Sequence, residues 1–439
     1  MQREVQPPRV GGRDATTAVI PGRYALSVGR PSLPAPAGWR WTRLTNLARL
    51  ESGHTPSRRK PEYWDGEIPW IGVRDATQNH GRRIDDTIQH VTQLGIDHSS
   101  ARVLPSNTVC LSRTASVGYV VVMGQPMATS QDFVNWVCTD ALDWRFLKSV
   151  LVAERDALLR YAHGTTHQTI YFPEVKAFWL ATPPRSEQHA ITSVLGALDD
   201  KIESNRRLSA HYEATATESL HHIARFGYAP ATWGSVPFSS AVHINPRVRV
   251  PRGTRTPFIE MSAVEPYSTR PTRLTERAFS GGSKFEHGDT LMARITGCIE
   301  HGKGAFIDFL DGPGAGSTEF LVFRAIHPLT PEAVFFLTRD SRFRAHAIAN
   351  MTGTSGRQRV DRSCFDSIRL FLAPESPERE SACTMLKTAM LTTRALWRET
   401  RTLQSIRDAL LPKLVSGQIR VPLSNDPEEQ VGAAIEALA

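Results

Sequence analysis

The sequence predicts an α+β fold: two similar mixed α/β domains separated by two long antiparallel helices that form a coiled coil, as a pseudo-twofold internal repeat. The first observation is that similar stretches begin at Gly164 and Gly353, each followed by a long segment with helical periodicity. This repeat is far longer than a solenoid unit of roughly 20 to 50 residues. The second is a heptad pattern in both helical segments. The third is a series of short apolar segments between turn residues in both halves, which predicts strands.

Segments upstream of Gly164 and Gly353 also correspond in pairs: residues 107–113 with 288–294, and residues 129–133 with 317–320. Arg113 and Arg294 therefore occupy equivalent positions. The openings of the two halves, near Trp39 and Trp233, are much less alike. Two copies of one scaffold that differ most in their polar segments indicate one binding task performed on two different ligands.

The predicted boundaries follow from this repeat and from changes in composition. They are a disordered leader over residues 1–38, a first domain over 39–185, a first long helix over 186–229, a second domain over 230–375, a second long helix over 376–420, and a flexible tail over 421–439. Within the domains, strands are expected over 118–123 and 320–323, and short helical segments over 144–160 and 331–349.

Each long helix begins with a capping signal and carries an apolar stripe. Ser186 precedes the first and Ser376 precedes the second, where Pro377 stands in the first turn. Residues at heptad spacing predict the coiled-coil seam: Ile191, Leu198, Asn205 and Tyr212 in the first helix, and Ala389, Leu396, Leu403 and Leu410 in the second. Helices of this length need a partner for the stripe, and packing against each other is favoured over each packing on its own domain.

Composition places the chain among soluble proteins. Its 439 residues are 40% hydrophobic and 22% charged, and no run approaches the roughly 18 apolar residues of a membrane-spanning helix. The N-terminal stretch is rich in Arg, Pro and Gly and lacks the apolar region of a secretory signal. The five cysteines are odd in number and show no Cys-x-x-Cys spacing, which favours a reducing compartment. We therefore expect a cytoplasmic protein with no membrane partner.

The formal net charge of +8 is unevenly distributed. Residues 39–185 carry +3 and residues 230–375 carry +4, whereas the first helical segment, 186–229, carries −2. Positive charge thus belongs to the globular parts. Because Lys and Arg contacts to phosphates supply most of non-specific nucleic-acid affinity, this distribution favours a polyanionic partner; a mildly basic surface with no partner is the alternative.

Four separated motifs resemble one known family. The segments are Ser52–Thr77, Gly288–Phe306, Gly316–Ala325 and Leu410–Val421, and they resemble the target recognition domains and the terminal segment of the specificity subunit of type I DNA restriction-modification systems. The resemblance covers the chain apart from its leader and tail. It implies two target recognition domains that bind two half-sites of double-stranded DNA, with the two helices as a ruler between them.

The resemblance also implies partners and the absence of a catalytic centre. Two modification (adenine methyltransferase) subunits and restriction (translocase/endonuclease) subunits would join this chain in a complex. The sequence agrees, since it contains no Asp-Pro-Pro-Tyr or Asn-Pro-Pro-Tyr motif and no helicase motif. Residues 297–304 have the spacing of a phosphate-binding loop, but Gly304 replaces the required Ser or Thr and the next residues resemble a strand. Cys298, His287 and His301 lack a fourth zinc ligand. No metal and no cofactor are predicted.

The residues predicted to contact DNA are polar and basic side chains of the matched or repeated segments. In the first half they are Thr55, Ser57, Arg58, Arg59, Lys60, Arg113, Thr165, Thr166, His167 and Gln168; in the second half they are Arg294, Lys303, Thr318, Glu319, Arg357, Gln358 and Arg359. Arg pairs well with guanine, Gln with adenine, and Glu accepts from cytosine, while most contacts of such proteins go to phosphates.

Two other functions fit the same sequence. One is a specificity module that serves a single-partner methylase-nuclease system. The other is a coiled-coil protein scaffold without sequence-specific DNA binding, in which the basic domains are incidental. A free-standing enzyme is the least favoured, because the candidate catalytic residues do not assemble into a recognisable motif.

Overall fold

The computed structural model describes residues 19–164, 168–266, 268–354, 356–424 and 426–438. The chain forms two compact units. The first consists of Met1–Ile202 together with Thr402–Ala439, and the second of Glu203–Arg401. Each unit contains one globular domain and parts of two long helices.

The first domain is a mixed α/β domain with three sheets. Its strands are β1 (Ile20–Pro21), β2 (Leu26–Val28), β3 (Arg40–Arg43), β4 (Ala48–Ser52), β5 (Trp64–Ile71), β6 (Arg83–Ile84), β7 (Gln89–Val91), β8 (Val109–Ser112), β9 (Val120–Met123), β10 (Ala128–Thr129), β11 (Phe133–Cys138) and β12 (Phe178–Thr182). Its helices are α1 (Val73–Gln78), α2 (Gln93–Asp97), α3 (Trp144–Ala153), α4 (Arg155–Tyr161) and α5 (Phe172–Lys176), and the long helix α6 (Arg185–Leu220) follows. The sheet orders are β4-β11-β8-β9-β6, β10-β5-β7 and β1-β2-β12-β3.

The second domain repeats this plan. Its strands are β13 (Ala224–Phe226), β14 (Gly234–Pro237), β15 (Val242–Ile244), β16 (Arg255–Ile259), β17 (Thr275–Ala278), β18 (Ser283–Phe285), β19 (Thr290–Ala293), β20 (Gly304–Phe306), β21 (Gly314–Gly316), β22 (Phe320–Ala325), β23 (Met351–Thr352), β24 (Arg359–Val360) and β25 (Arg369–Leu372). Its helices are α7 (Phe238–Ala241), α8 (Pro331–Arg339) and α9 (Ser341–Ala349), followed by α10 (Pro377–Val415) and α11 (Pro427–Glu436). The sheet order β15-β22-β19-β20 matches β4-β11-β8-β9, β17-β16-β21 matches β7-β5-β10, and β13-β25-β14 matches β2-β12-β3.

The parallel strand pairs show how closely the backbones agree. In the first domain β5 pairs with β10, with Trp70 opposite Ala128 and Ile71 opposite Thr129. In the second, β16 pairs with β21 through Phe258 opposite Ala315 and Ile259 opposite Gly316. The predicted fold class of two similar mixed α/β domains with two long helices is therefore confirmed.

Helices α6 and α10 contain 36 and 39 residues, so each is about 54 to 59 Å long at 1.5 Å per residue. In the first unit, Asp199 of α6 accepts a hydrogen bond from Arg407 of α10 at 3.0 Å. In the second unit, Asn205 of α6 donates to Glu399 of α10 at 2.9 Å. In the first unit Glu187 of α6 also accepts from Arg420, just beyond the end of α10. Residue numbers there rise along one helix as they fall along the other, so the two helices are antiparallel.

The predicted seam residues lie where these helices are packed. Ile191, Leu198 and Asn205 are buried in α6, as are Ala389 and Leu410 in α10. The other three, Tyr212, Leu396 and Leu403, are half-buried. The apolar clusters of each unit contain side chains of both helices together with the core of its domain. Each helix therefore packs on the other helix and on a domain as well, which combines the two arrangements considered from the sequence.

Residues 19–38 correct the predicted disordered leader. Strand β2 pairs with β12, with Leu26 opposite Leu180 and Val28 opposite Phe178. The buried carboxylate of Glu154 accepts backbone hydrogen bonds from four successive residues, Arg23 at 2.7 Å, Tyr24 at 2.6 Å, Ala25 at 2.8 Å and Leu26 at 3.1 Å. The Arg, Pro and Gly content of the segment led to the prediction of disorder, but the side chain of Glu154, far away in the sequence, accepts the hydrogen bonds of this backbone. Residues 1–18 lie outside the described residues.

The helix ends and the tail differ from prediction too. Helix α6 ends at Leu220 and not at residue 229, because Ala224–Phe226 form β13 against β25. Helix α10 ends at Val415 and not at residue 420; Gly417, with a φ of 70°, takes the left-handed conformation beyond it. The predicted flexible tail contains α11, whose Ala434 is fully buried in the apolar cluster of the first unit.

Within the described ranges, no helix combines the length and apolar character needed to cross a lipid bilayer.

Candidate nucleic-acid interface

Three segments meet at Arg113 in the first domain. The backbone N–H of Arg113 donates to the carbonyl oxygen of Asp132 at 2.7 Å, and its own carbonyl oxygen accepts from Ile170 at 2.9 Å. Two residues further on, the N–H of Ala115 donates to Gln168 at 3.2 Å. The end of β8, the turn before β11 and the turn before α5 are thereby joined around one arginine.

The side chain of Arg113 is only partly satisfied. Its Nη2 donates to the carbonyl oxygen of Gln131 at 3.1 Å, and its guanidinium lies 4.8 Å from the centre of the Phe172 ring. Its Nε is buried and has no hydrogen-bond partner among the described residues. Burial lowers the pKa of this guanidinium below its ordinary value, with Asp132 opposing the shift. Arg113 as a whole is half-buried, and its Nη1 donates to no described residue, so this nitrogen is available to an acceptor from a ligand.

A series of contacts leads from Arg113 to the basic loop before β5. The side chain of Gln131 accepts a hydrogen bond from the hydroxyl of Thr55. The neighbouring carbonyl oxygen of His54 accepts from the indole of Trp70 at 3.1 Å. The guanidinium of Arg58 lies 5.1 Å from the centre of the Trp70 ring. We call the surface formed by Arg58, Trp70, Thr55, Gln131, Arg113 and Gln168 the first polar surface.

The other predicted residues of the first domain surround this surface. Ser57 and Arg59 are exposed. Lys60 donates from its Nζ to the hydroxyl of Tyr63 at 3.0 Å, and this hydrogen bond raises the pKa of the lysine. Thr165, Thr166 and His167 lie outside the described residues, so the structure places only Gln168 of that predicted group.

The second domain contains the same three-segment junction. The N–H of Arg294 donates to the carbonyl oxygen of Glu319 at 2.9 Å, and the carbonyl oxygen of Arg294 accepts from Val360 at 2.8 Å. The N–H of Thr296 donates to Gln358 at 3.0 Å. Each of these bonds has its counterpart around Arg113. The Nε of Arg294 is also buried without a partner among the described residues, as in the first domain.

The side chains at the second junction are different. Both carboxylate oxygens of Glu319 accept from Arg359, at distances between 2.7 and 3.0 Å. Hydrogen bonding from Arg359 is the largest cause of a lowered pKa at Glu319, and the charges of Arg359 and Arg294 lower it further. Arg359 is thus paired within the protein, whereas Arg357 is exposed and forms no such pair with the residues that the structure describes. An arginine–carboxylate pair replaces the arginine–phenylalanine contact of the first domain.

A cavity of about 310 Å³ adjoins the second junction. Thr318 lines it together with Phe258, Glu260, Met261 and Arg277. Lys303 lies close by, with its Nζ donating to the carbonyl oxygen of Met261 at 3.4 Å. We call the surface formed by Arg277, Phe258, Glu260, Thr318, Glu319, Arg359 and Arg294 the second polar surface.

Five residues of the two polar surfaces were not among those predicted from the sequence: Trp70, Gln131, Phe258, Glu260 and Arg277. The equivalence of Trp70 and Phe258 rests on strand pairing, and the segments around them differ too much for alignment within the chain. The signal that was available is the Tyr63–Trp64 pair directly behind the basic loop, since aromatic and basic residues together are typical of nucleic-acid contact.

The structure also shows what is formed by the segment with the spacing of a phosphate-binding loop, and whether metal-binding side chains come together. Gly304–Phe306 form β20 after the glycine-rich spacing, so the helix that a phosphate-binding loop requires is replaced by a strand. Within the ranges that the structure describes, no three His, Cys, Asp or Glu side chains come together as a metal-binding group.

Comparisons of sequence and of structure with known proteins find similarity to the same group of proteins. Residues 36–213 match the family model described as the type I restriction modification DNA specificity domain. The chain is 27% identical over 185 residues to the MjaIX specificity subunit of a type I restriction enzyme from Methanocaldococcus jannaschii, covering 42% of this chain and 43% of that protein. The HindI specificity subunit from Haemophilus influenzae is 27% identical over 112 residues, or 26% of this chain and 24% of its own length. These alignments span less than half of either relative.

A solved structure extends the likeness to most of the fold. The crystal structure of the S subunit of a type I restriction-modification system from M. genitalium covers 88% of this chain and 98% of its own, with a TM-score of 0.51 and 16% sequence identity. At this identity the likeness shows a shared fold. The resemblance found in the sequence is confirmed as a similarity: residues 36–213 match the specificity-domain model, and the fold is shared with the S subunit from M. genitalium.

Proposed function

We propose that this chain is the DNA sequence-specificity subunit of a type I restriction-modification complex. Its two domains each bind one half of a bipartite double-stranded DNA target. Two modification (adenine methyltransferase) subunits and restriction (translocase/endonuclease) subunits supply the chemistry, and this chain is non-catalytic. The complex acts in the cytoplasm, which fits five cysteines that are all free thiols.

The observation that carries the proposal is the duplicated junction. Arg113 and Arg294 hold the same backbone position, and each has a buried Nε that lacks an acceptor among the described residues. Two copies of one backbone junction, each holding an arginine in a domain of positive net charge, support the binding of a polyanion at two places. The side chains around the two arginines differ, which supports the binding of two different sequences.

The proposal is tested by co-expressing the chain with adenine methyltransferase subunits of its own host and sequencing N6-methyladenine in genomic DNA. We expect co-purification and methylation at one bipartite sequence with an unspecific gap. Replacing residues 39–185 with those of a relative should change one half of the sequence only. Methylation without sequence preference, or no association with double-stranded DNA, would contradict the proposal.

The two long helices are proposed to set the length of the gap. Helix α6 passes from the first unit into the second at Ile202, and α10 returns at Arg401. Inserting one heptad into each helix, in matched positions, should lengthen the gap and leave both half-sites unchanged. A change in the half-sites themselves would show that the helices do not act as a ruler.

A further inference from the structure

Each domain holds one exposed arginine on an aromatic ring at the same place in its fold. In the first domain Arg58 lies 3.8 Å from the ring centre of Trp64 and 5.1 Å from that of Trp70. In the second domain Arg277 lies 3.3 Å from the ring centre of Phe258. Trp70 and Phe258 are equivalent, because each stands opposite an alanine in the parallel strand pair.

The two arginines come from different parts of the chain. Arg58 belongs to the loop between β4 and β5, whereas Arg277 belongs to β17, which pairs with β16. The repeat therefore does not explain why both domains place a guanidinium over this ring. Both domains nevertheless hold a guanidinium near the equivalent ring, 5.1 Å from Trp70 in the first and 3.3 Å from Phe258 in the second.

Most N–H groups of both guanidinium groups donate no hydrogen bond within the described residues. Within the described residues, neither Arg58 nor Arg277 lies within ion-pair distance of a carboxylate, and both side chains are exposed. Arg58 donates one hydrogen bond, to the side-chain oxygen of Gln89 at 3.0 Å. Arg359, by comparison, donates to both oxygens of Glu319. A guanidinium that lies on a ring has lost part of its freedom before binding, so less entropy is lost when its edge meets a ligand.

We infer that Arg58 and Arg277 read one guanine each in the major groove, one in either half of the DNA target. This inference rests on the proposed function and adds to it the two residues that determine specificity. The planar fork of arginine matches O6 and N7 of guanine through two parallel hydrogen bonds. Each guanidinium is held in place by aromatic rings: Arg58 by half-buried Trp64 and buried Trp70, and Arg277 by buried Phe258.

The surroundings of Arg277 support a base edge over a phosphate. Glu260 lines the same cavity; its Oε2 lies 3.5 Å from Arg273, and its other carboxylate oxygen can accept a hydrogen bond from the amino group of cytosine. A guanine–cytosine pair offers both partners at once. Thr318, also on the cavity wall, adds a hydroxyl that donates or accepts.

The test uses the full-length chain in complex with its modification subunits. Arg58→Lys and Arg277→Lys keep the positive charge and remove the two-pronged geometry. Arg83→Lys and Arg255→Lys serve as matched controls, because these exposed arginines have acidic partners, Asp85 at 3.2 Å and Glu276 at 3.4 Å. Sequence preference is measured by selection from a randomised duplex library and affinity on the selected target.

Each lysine variant is expected to relax base preference at one position of one half-site, with Arg58 and Arg277 affecting opposite halves. Affinity for the wild-type target should fall roughly 5- to 150-fold, the range for one good two-bond base contact. Placing 7-deazaguanine at the affected position removes the N7 acceptor and should weaken the wild-type complex more than the corresponding lysine variant. Trp64→Leu should produce a smaller loss in the same half as Arg58→Lys.

Three outcomes overturn the inference. An equal loss of affinity on all sequences would place the arginine at a phosphate. Selection and affinity like those of the control variants would remove the arginine from the interface. A wild-type complex that selects no DNA sequence at all would overturn the proposed function and this inference with it. That result is obtained with the wild-type chain, whereas the other two outcomes are obtained with the arginine variants, so the failures are distinguishable.

Discussion

The two domains have the same backbone arrangement, but different partners satisfy their buried polar groups. At the junctions, Arg113 lies against Phe172 whereas Arg294 stands beside the Glu319–Arg359 pair. Deeper inside, the first domain surrounds the carboxylate of Glu154 with backbone N–H groups, and the second pairs Arg270 with Asp308. The main-chain hydrogen bonds at the two junctions correspond, while the side chains around them differ. A duplicated domain can diverge in this way without losing its fold.

The largest expected effect is on the buried ion pair of the second domain. Arg270 is 1% exposed, and its Nε donates to Asp308 at 2.9 Å. Arg270→Met leaves the buried carboxylate with only the more distant Arg394, at 3.9 Å, and we expect a loss of about 3 to 5 kcal/mol in the free energy of unfolding. Chemical denaturation measures the loss, and hydrogen exchange shows whether it is confined to the second unit.

The double variant Arg270→Met with Asp308→Leu is the matched control. Since both charges are removed, most of the loss should be recovered. A single variant that stays within about 1 kcal/mol of the wild type would show that the pair is not the feature that distinguishes the second domain.

The corresponding feature of the first domain is Glu154. Glu154→Gln removes a charge and one acceptor oxygen from four backbone donors, so we expect a loss of about 1 to 3 kcal/mol. Faster hydrogen exchange in β2 would accompany it. Asp156→Asn, two residues away and exposed, should change neither quantity. Unchanged protection of β2 in Glu154→Gln would contradict the role given to this carboxylate.

The segments that follow the long helices form a further contrast. The chain after α6 enters β13, whereas the chain after α10 continues to α11. There the buried Gln430 donates to the carbonyl oxygens of Pro422 at 3.2 Å and Ser424 at 2.7 Å. Gln430→Ala should destabilise the first unit by about 1 to 2 kcal/mol, as expected for one or two lost hydrogen bonds. Thermal unfolding measures this, with exposed Glu428→Gln as control; equal melting temperatures would show that α11 contributes no stability.

The smallest expected effect is a pH dependence at the second junction. The pKa of Glu319 is lowered in the folded state, chiefly by hydrogen bonds from Arg359. Its contribution to stability is therefore fully present above the unfolded pKa of about 4.3 and is lost as pH falls through the lower folded pKa. Glu319→Gln should remove this part of the acid sensitivity, measured as unfolding free energy between pH 7 and pH 3. Parallel pH profiles for wild type and variant would contradict it.

Particular elements show how far the sequence could be read. Helical segments were expected over 144–160 and 331–349, and the structure has α3 with α4 and α8 with α9 there. Ser376 was expected to cap the second long helix, and its hydroxyl accepts from the N–H of Arg379 at 3.2 Å. These are local patterns, in which the deciding contacts lie within a few residues of each other.

The missed elements depend on distant partners. Strand β2 exists because β12 and Glu154, more than 120 residues away, supply its hydrogen bonds. Likewise the contact of Arg277 with Phe258 requires β17 to pair with β16, and the burial of Ala434 requires the apolar cluster of the first unit. A short stretch of sequence does not indicate which distant residues it will contact.

By itself the sequence determined the duplication, the two long helices, the basic character of both domains and the equivalence of Arg113 with Arg294. Periodicity, capping residues and repeated motifs encode these features directly. Only the tertiary structure decided which side chains meet: the duplicated junction with its unpartnered Nε atoms, the arginines on equivalent aromatic rings, and the ordered segments at either end of the described chain. The physical reason is that strand pairing and burial join residues across long stretches of sequence, where neighbouring residues cannot specify the partner.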